Sequence, residues 1–142
     1  MVPARYSAAV SENVEIVRRA NALFNAGDFD AAFEAVRPDV VFRDLQNAPD
    51  LPEALRGRES LLHALGHWLD AYDELGMEVE DYIEMGSWVI ADVRWHGKGR
   101  GSDLSVDVRQ ADACKVQDGL IVEWVLGYAD METALKAVGG AD

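Results

Sequence analysis

The 142-residue sequence predicts an α+β fold in which helices come first and a curved, mostly antiparallel sheet follows. Apolar residues recur at helical spacing in the N-terminal half. In the C-terminal half they alternate with polar or small residues, which is typical of half-buried strands. Between two such segments, Asp118-Gly119 predicts a tight hairpin. We expect a flexible arm over residues 1–10 and a single domain over residues 11–139.

Three helices are predicted before the main part of the sheet. The first begins after Ser11, a favourable N-cap residue, and ends at Gly27. A short second helix is capped by Asp28, and Pro38 prevents it from continuing. The third helix is predicted over residues 59–75, where leucines and aromatic residues form one stripe.

Alternating segments and turn residues define the remaining elements. Residues 46–57 contain two prolines and a glycine, so they are predicted to be a loop and a candidate lid. The glycine-rich residues 97–101 form a connection, and Asp130 caps a short final helix. The predicted strands are 40–45, 77–85, 88–96, 104–116 and 120–128.

Composition excludes several kinds of partner. The 26 acidic residues outnumber the 13 basic ones, giving a net charge of −13, and this balance argues against nucleic acids and anionic membranes as partners. Cys114 is the only cysteine, so no disulfide can form within the chain and a cytoplasmic location is expected. No run approaches the roughly 20 apolar residues of a membrane span. A neutral, largely apolar small molecule is the ligand that this composition favours.

Asp112 carries the strongest chemical signal, because it interrupts the apolar face of the 104–116 strand. Burying an unpaired carboxylate costs several kcal/mol or forces its protonation. Asp112 therefore either has a partner or faces a cavity. Gln110 lies two residues earlier on the same face, where it either holds a ligand or orients Asp112.

Five short segments, in this order, resemble the SnoaL-like and ketosteroid-isomerase-like families of the nuclear-transport-factor-like cone fold. They are NAGDFD at 25–30, VVFRD at 40–44, RGS at 100–102, DGLIV at 118–122 and DMETAL at 130–135. The resemblance implies a cone-shaped sheet that wraps around the three N-terminal helices and encloses a mostly apolar pocket. It also implies a homodimer formed through the outer face of the sheet.

The resemblance further implies an isomerase or cyclase that transfers a proton next to a carbonyl group, without metal or organic cofactor. In this reading Asp44 is the base, and Asp112 is the acid or the donor to the oxyanion. The tyrosine that completes the oxyanion site in ketosteroid isomerases is replaced by Ala20. This departure argues against a steroid isomerase.

The remaining predicted site residues are expected to contact the ligand. Phe42, Trp68 and Trp124 are aromatic residues that are expected to line the pocket, and His96 is an acid–base candidate at its mouth. No metal site is expected, because Ala64 stands where zinc-protease motifs carry a glutamate.

Two alternative functions stay open at this point. The first is a non-catalytic ligand-binding or dimerisation module with the same cone. The second is water addition of the limonene-epoxide-hydrolase type, which requires Arg94 in the pocket beside Asp112. The favoured interpretation of Asp92 and Arg94 is instead a cross-strand ion pair on the surface, which contributes little to stability.

Overall fold

The structure, a computed structural model, describes residues 11–45, 55–99, 101 and 105–139. Within the third helix, the side chains at positions 64, 67–69 and 71 are also outside the described part. The predicted N-terminal arm and most of the candidate lid, residues 46–54, therefore lie outside the described residues, as does Leu104.

The described residues form helices and one six-stranded sheet, which agrees with the predicted α+β class. The sheet order is β2-β1-β6-β5-β4-β3, with β1 parallel to β6, all other neighbours antiparallel, and the two end strands not joined. In chain order the elements are α1 (Glu12–Asn25), α2 (Phe29–Phe33), β1 (Val36–Asp44), β2 (Leu55–Arg56), α3 (Arg58–Ala71), β3 (Tyr72–Met85), β4 (Trp88–Gly99), β5 (Ser105–Gln117), β6 (Leu120–Tyr128) and α4 (Met131–Gly139).

Several local predictions are confirmed by hydrogen bonds and backbone angles. The hydroxyl of Ser11 accepts a bond from the Val14 N–H at 3.1 Å, and so caps α1. The Asp130 carboxylate caps α4 in the same way. Asp118 and Gly119 have φ values of 53° and 80°, the left-handed pair that a two-residue hairpin turn requires.

The boundary between α3 and β3 differs from the prediction. The helix ends at Ala71, and Tyr72 already belongs to the strand, where it pairs with Gly99. The predicted connection at 97–101 is therefore partly strand. Cross-strand hydrogen bonds to an extended β4 outweigh the helical pattern of residues 72–75, since local propensity is a weak determinant beside tertiary pairing.

The start of β1 is also earlier than predicted, at Val36 instead of Val40. Pro38, which bars further helix, is accommodated within this strand. The pairing of β1 with β6 is interrupted between Val36 and Val41, so Pro38 lies where its missing N–H does not break a regular ladder.

The helices lie on both faces of the sheet. On the inner face, α1 buries Val14, Val17 and Phe24 in the main core together with residues of α2, α3 and the sheet. On the outer face, α4 buries Ala134 and Val138 in a second cluster with residues of β4, β5 and β6. Part of the face through which the resemblance implies dimerisation is thus covered by the chain's own last helix. Among the described helices, none is both long and apolar enough to cross a membrane.

The free edge of the sheet at β3 is occupied at one position, Met77, by the side chain of Asn25 from α1. The Asn25 amide donates to the Met77 carbonyl at 2.6 Å, and its oxygen accepts from the Met77 N–H at 3.0 Å. These two bonds imitate a neighbouring strand. An occupied edge is protected from pairing with another chain.

Candidate functional site

Asp112 lies on the inner face of the sheet, as its alternation with apolar neighbours predicts. Directly paired residues of antiparallel strands share a face. Asp112 is paired with Ala91, and Gln110 with Val93, both of which are buried. Only 3% of Asp112 is exposed, so its carboxyl group is removed from bulk water.

Three N–H groups from described residues donate to the Asp112 carboxylate. Oδ1 accepts from the Gln110 side-chain amide at 2.7 Å and from the Gly127 backbone N–H at 3.0 Å. Oδ2 accepts from the Trp95 indole N–H at 3.1 Å. All three donors are neutral, so they solvate the carboxylate without cancelling its charge.

A bulge in β6 supplies the backbone donor. Ala113 pairs with Val125 and Ala111 pairs with Tyr128, so two residues of β6 lie opposite the single residue Asp112. One of them is Gly127, whose φ of 96° is costly for residues with a side chain. The bulge also moves Tyr128 to the outer face, where it packs on the α4 cluster. Strict alternation, which places Tyr128 on the inner face, is therefore wrong at this end of the strand.

Burial raises the pKa of Asp112 from 3.8 to about 6. The three hydrogen bonds favour the ionised form and offset part of this increase, while the negative charge of Asp44 adds to it. Both protonation states of Asp112 are consequently within reach near neutral pH. This is the range in which a carboxyl group can both accept and return a proton.

Asp44 approaches the same region from β1. It pairs with Leu126 of β6, one of the two residues opposite Asp112, and it is partly exposed. Its charge acts on Asp112. The fold thus brings the two predicted carboxyl groups to neighbouring positions of one cross-strand row.

An aromatic cavity lies between the helices and the inner face of the sheet. Its wall includes the predicted residues Phe42 and Trp124, together with Phe24 and Trp95. Phe24 and Trp95 pack edge to face with ring centroids 5.7 Å apart. The cavity has a volume of about 30 Å³, which is room for one or two water molecules. Trp95 joins this wall to Asp112.

Arg94 does not lie where the prediction of a pocket residue requires it. Its guanidinium is on the outer face, where it makes two hydrogen bonds of 2.7 Å with Asp107 and approaches Glu78 at 3.5 Å. The side chain alternates with Val93 and Trp95, which face inward. Arg94 therefore forms exposed ion pairs with Asp107 and Glu78, while Asp92 approaches Arg109 at 3.9 Å and not Arg94.

His96 also lies outside the aromatic cavity. It lines a separate polar concavity with Glu74, Lys98, Ser105 and Asp107. The predicted ligand contact Trp68 cannot be placed, because its side chain is outside the described part of the chain. Among the side chains that the structure describes, which exclude that of His67, no three His, Cys, Asp or Glu are grouped so that they could hold a metal ion.

Sequence reasoning missed two of the three donors to Asp112. Trp95 was visible as an inward residue of an alternating strand, but its contact with Asp112 depends on the register of β4 against β5. Gly127 interrupts the alternation of β6, and an isolated glycine in a strand is a known signal of a bulge. Cys114 is buried, and burial raises the pKa of its thiol well above the usual value.

The amino-acid sequence matches a known protein family. The SnoaL-like domain family matches residues 17–124, which include both aspartates and most of the cavity wall. No curated protein matches the chain by sequence.

Many solved structures share this fold, and the three that follow are distant from this chain in sequence. An NTF2-like protein of unknown function from Burkholderia pseudomallei is 16% identical, with a TM-score of 0.74 over 89% of this chain and 97% of that one. A proposed SnoaL-like polyketide cyclase from Jannaschia sp. CCS1 is 21% identical, with a TM-score of 0.72 over 86% and 88%. IdmH, a proposed polyketide cyclase from Streptomyces antibioticus, is 21% identical, with a TM-score of 0.71 over 91% and 99%. At this level of identity the likeness is one of fold. The match over residues 17–124 nevertheless covers most of the sequence, and the chain belongs to the SnoaL-like domain family.

Proposed function

We propose that this protein catalyses cofactor-free proton transfer next to a carbonyl group of a neutral, largely apolar ligand, in a reaction of the isomerase or cyclase type. The observation that carries the proposal is the buried carboxyl group of Asp112, with a pKa of about 6 and three fixed donors, behind an aromatic wall. The names of two structural neighbours, both proposed polyketide cyclases, point to the same class of reaction.

In this proposal the two carboxyl groups have different roles. Asp44 is partly exposed and acts as the base that removes a proton from the carbon next to the carbonyl group. Asp112, in its neutral form, donates a hydrogen bond to the oxygen on which negative charge develops. Gln110 is a positioning residue, because its amide holds Oδ1 of Asp112 at 2.7 Å.

Ligand binding requires the aromatic wall to open. A site for a small organic molecule usually has a volume of about 300 Å³ or more. The cavity bounded by the described side chains is about 30 Å³. In the proposed complex Phe24 and Trp95 separate, and the ligand takes the place of their edge-to-face contact.

Hydrogen–deuterium exchange tests the proposal without a known product. A panel of apolar ketones and cyclic enones is incubated with the protein in heavy water, and loss of the proton signal next to the carbonyl group is followed by NMR. The expected result is exchange that is faster than with buffer and falls at least about 100-fold in Asp112→Asn and in Asp44→Asn. The matched control is Asp107→Asn, which removes an aspartate from the outer face. Equal exchange rates in all three variants and the unaltered protein would refute the assignment.

The small cavity favours a second candidate, a module of this fold without catalytic activity. In that case Asp112 serves to fix β5, β6 and Trp95 to one another. If this candidate is correct, a compound of the panel that binds raises the melting temperature of the protein. No compound of the panel then exchanges its proton faster than in buffer. Water addition to an epoxide is not favoured, because Arg94 is held on the outer face by Asp107.

A further inference from the structure

The two oxygens of Asp112 are held differently, and this asymmetry has a chemical consequence. Each carboxylate oxygen offers about two lone-pair positions. On Oδ1 both are occupied, by the Gln110 amide at 2.7 Å and the Gly127 N–H at 3.0 Å. On Oδ2 one is occupied by a donor from the described residues, the Trp95 indole at 3.1 Å. A position for a proton is therefore left on Oδ2.

We infer that Asp112 gains and loses its proton on Oδ2, and that Trp95 is the positioning residue that holds this oxygen toward the aromatic cavity. The inference deepens the proposed proton-transfer function and rests on it for its catalytic meaning. It assigns the acid function to one named atom.

The identity of the donors supports this choice. A backbone N–H and an indole N–H have no acceptor atom, so neither Gly127 nor Trp95 can turn round to accept a proton from Asp112. The Gln110 amide could accept a proton from Oδ1 only after a half turn that reverses the direction of its present bond to Oδ1. The proton is accommodated on Oδ2 without any change in the contacts of Oδ1.

The place of Trp95 gives the proton a route to a ligand. Its ring forms part of the cavity wall and packs against Phe24, while its N–H reaches Oδ2. Movement of Trp95 away from Phe24 displaces the donor to Oδ2, whereas the two donors to Oδ1, Gln110 and Gly127, do not line the cavity. Among the described residues, the ionisable group whose charge acts on Asp112 is Asp44 on β1, and Asp112 in turn raises the pKa of Cys114 on β5.

A pH titration followed by nitrogen–proton NMR tests the inference on the unaltered protein, without any ligand. Protonation of Oδ2 weakens its bond from Trp95, because a neutral acceptor is weaker than a charged one. We expect the Trp95 indole N–H signal to move upfield with a midpoint near pH 6, and the Gly127 amide signal to move less. A larger movement of the Gly127 amide, or no movement of the indole, would overturn the assignment to Oδ2.

Two matched tryptophan variants isolate the role of Trp95. Trp95 and Trp124 both line the cavity, but only Trp95 donates to Asp112. Trp95→Phe removes a donor that favours the ionised form, so the midpoint of Asp112, followed by carboxyl-carbon NMR, should rise by about one pH unit. Trp124→Phe should leave it unchanged, and an equal response of both variants would contradict the inference. If Trp95→Phe does not fold, the titration of the unaltered protein decides alone. Failure of the proposed function would instead appear in the exchange assay, with the titration unaffected.

Discussion

The burial of Asp112 has a measurable consequence for stability, which the variant Asp112→Asn isolates. A pKa of about 6 in the folded protein, against the ordinary 3.8, means that the folded state binds the proton more tightly than the unfolded chain. The contribution of Asp112 to stability is thus greatest below pH 3.8 and is lost as the pH rises through about 6. At about 1.36 kcal/mol per pKa unit, ionised Asp112 opposes folding by about 3 kcal/mol at pH 7 relative to its neutral form.

This free-energy cost predicts how the stability of Asp112→Asn and that of the unaltered protein differ as the pH changes. An asparagine at position 112 has nearly the same shape and does not titrate. We expect the free energy of unfolding of Asp112→Asn, minus that of the unaltered protein, to increase by about 2 kcal/mol between pH 4 and pH 7, because the unfolded carboxyl group is already more than half ionised at pH 4. Urea denaturation at closely spaced pH values, followed by fluorescence or circular dichroism, measures this difference.

An aspartate on the outer face serves as a control of opposite sign. The hydrogen bond from Arg94 lowers the pKa of Asp107, so Asp107 contributes stability at neutral pH that is lost on acidification. The free energy of unfolding of Asp107→Asn, minus that of the unaltered protein, should therefore decrease with rising pH. The decrease should be small, because exposed ion pairs contribute little to stability. A flat or falling difference for Asp112→Asn would refute the reasoning about burial.

Three further substitutions test other features of the fold, each by urea denaturation against the unaltered protein. Asn25→Ala removes both hydrogen bonds to Met77, so it should destabilise the protein by about 1–3 kcal/mol. It should also increase self-association in gel filtration, because the backbone of β3 at Met77 becomes free to pair with another chain. Unchanged stability would contradict the role of Asn25. Gly127→Ala should cost at least about 1–2 kcal/mol, because φ is 96° there, and a neutral result would argue against the bulge that serves Asp112. Trp88→Phe should change stability by less than about 1 kcal/mol. The Trp88 indole N–H is buried without an acceptor among the described residues, so removing this donor is favourable and offsets the packing that the smaller ring loses. A loss of several kcal/mol would show that the donor has an acceptor.

Patterns that depend on a few neighbouring residues were sufficient to predict much of this architecture. Alternation alone placed Asp112 inside, and hydrogen-bonding caps placed the starts of α1 and α4. These features are predictable because a carboxyl or hydroxyl side chain reaches only the nearest backbone groups. The α3–β3 boundary was not predictable in this way, since Tyr72 joins β3 through pairing with a residue 27 positions away, Gly99.

The chemical surroundings of Asp112 depend on register, which one sequence does not specify. Trp95 reaches Asp112 only because Ala91 pairs with Asp112 and the indole extends along the inner face. The position of Arg94, by contrast, does not depend on register and follows from the alternation of its own strand. Its alternation with inward-facing Val93 already indicates the outer face, and the functional analogy with epoxide hydrolases pointed the other way. The backbone period was the better guide, because it reflects the pleat itself.

The donors around Asp112 act as one unit, and this limits what a stability measurement can reveal. The ionised carboxyl group opposes folding at neutral pH, so an apolar residue at position 112 would remove that cost. The same replacement would leave the N–H groups of Trp95, Gln110 and Gly127 buried without their acceptor, at about 1–3 kcal/mol each. The first effect is about 3 kcal/mol. The second has the opposite sign and amounts to about 3–9 kcal/mol for the three N–H groups together. A change in total stability therefore cannot distinguish a functional carboxyl group from a structural one, whereas the pH at which Asp112 titrates and the atom that receives its proton can.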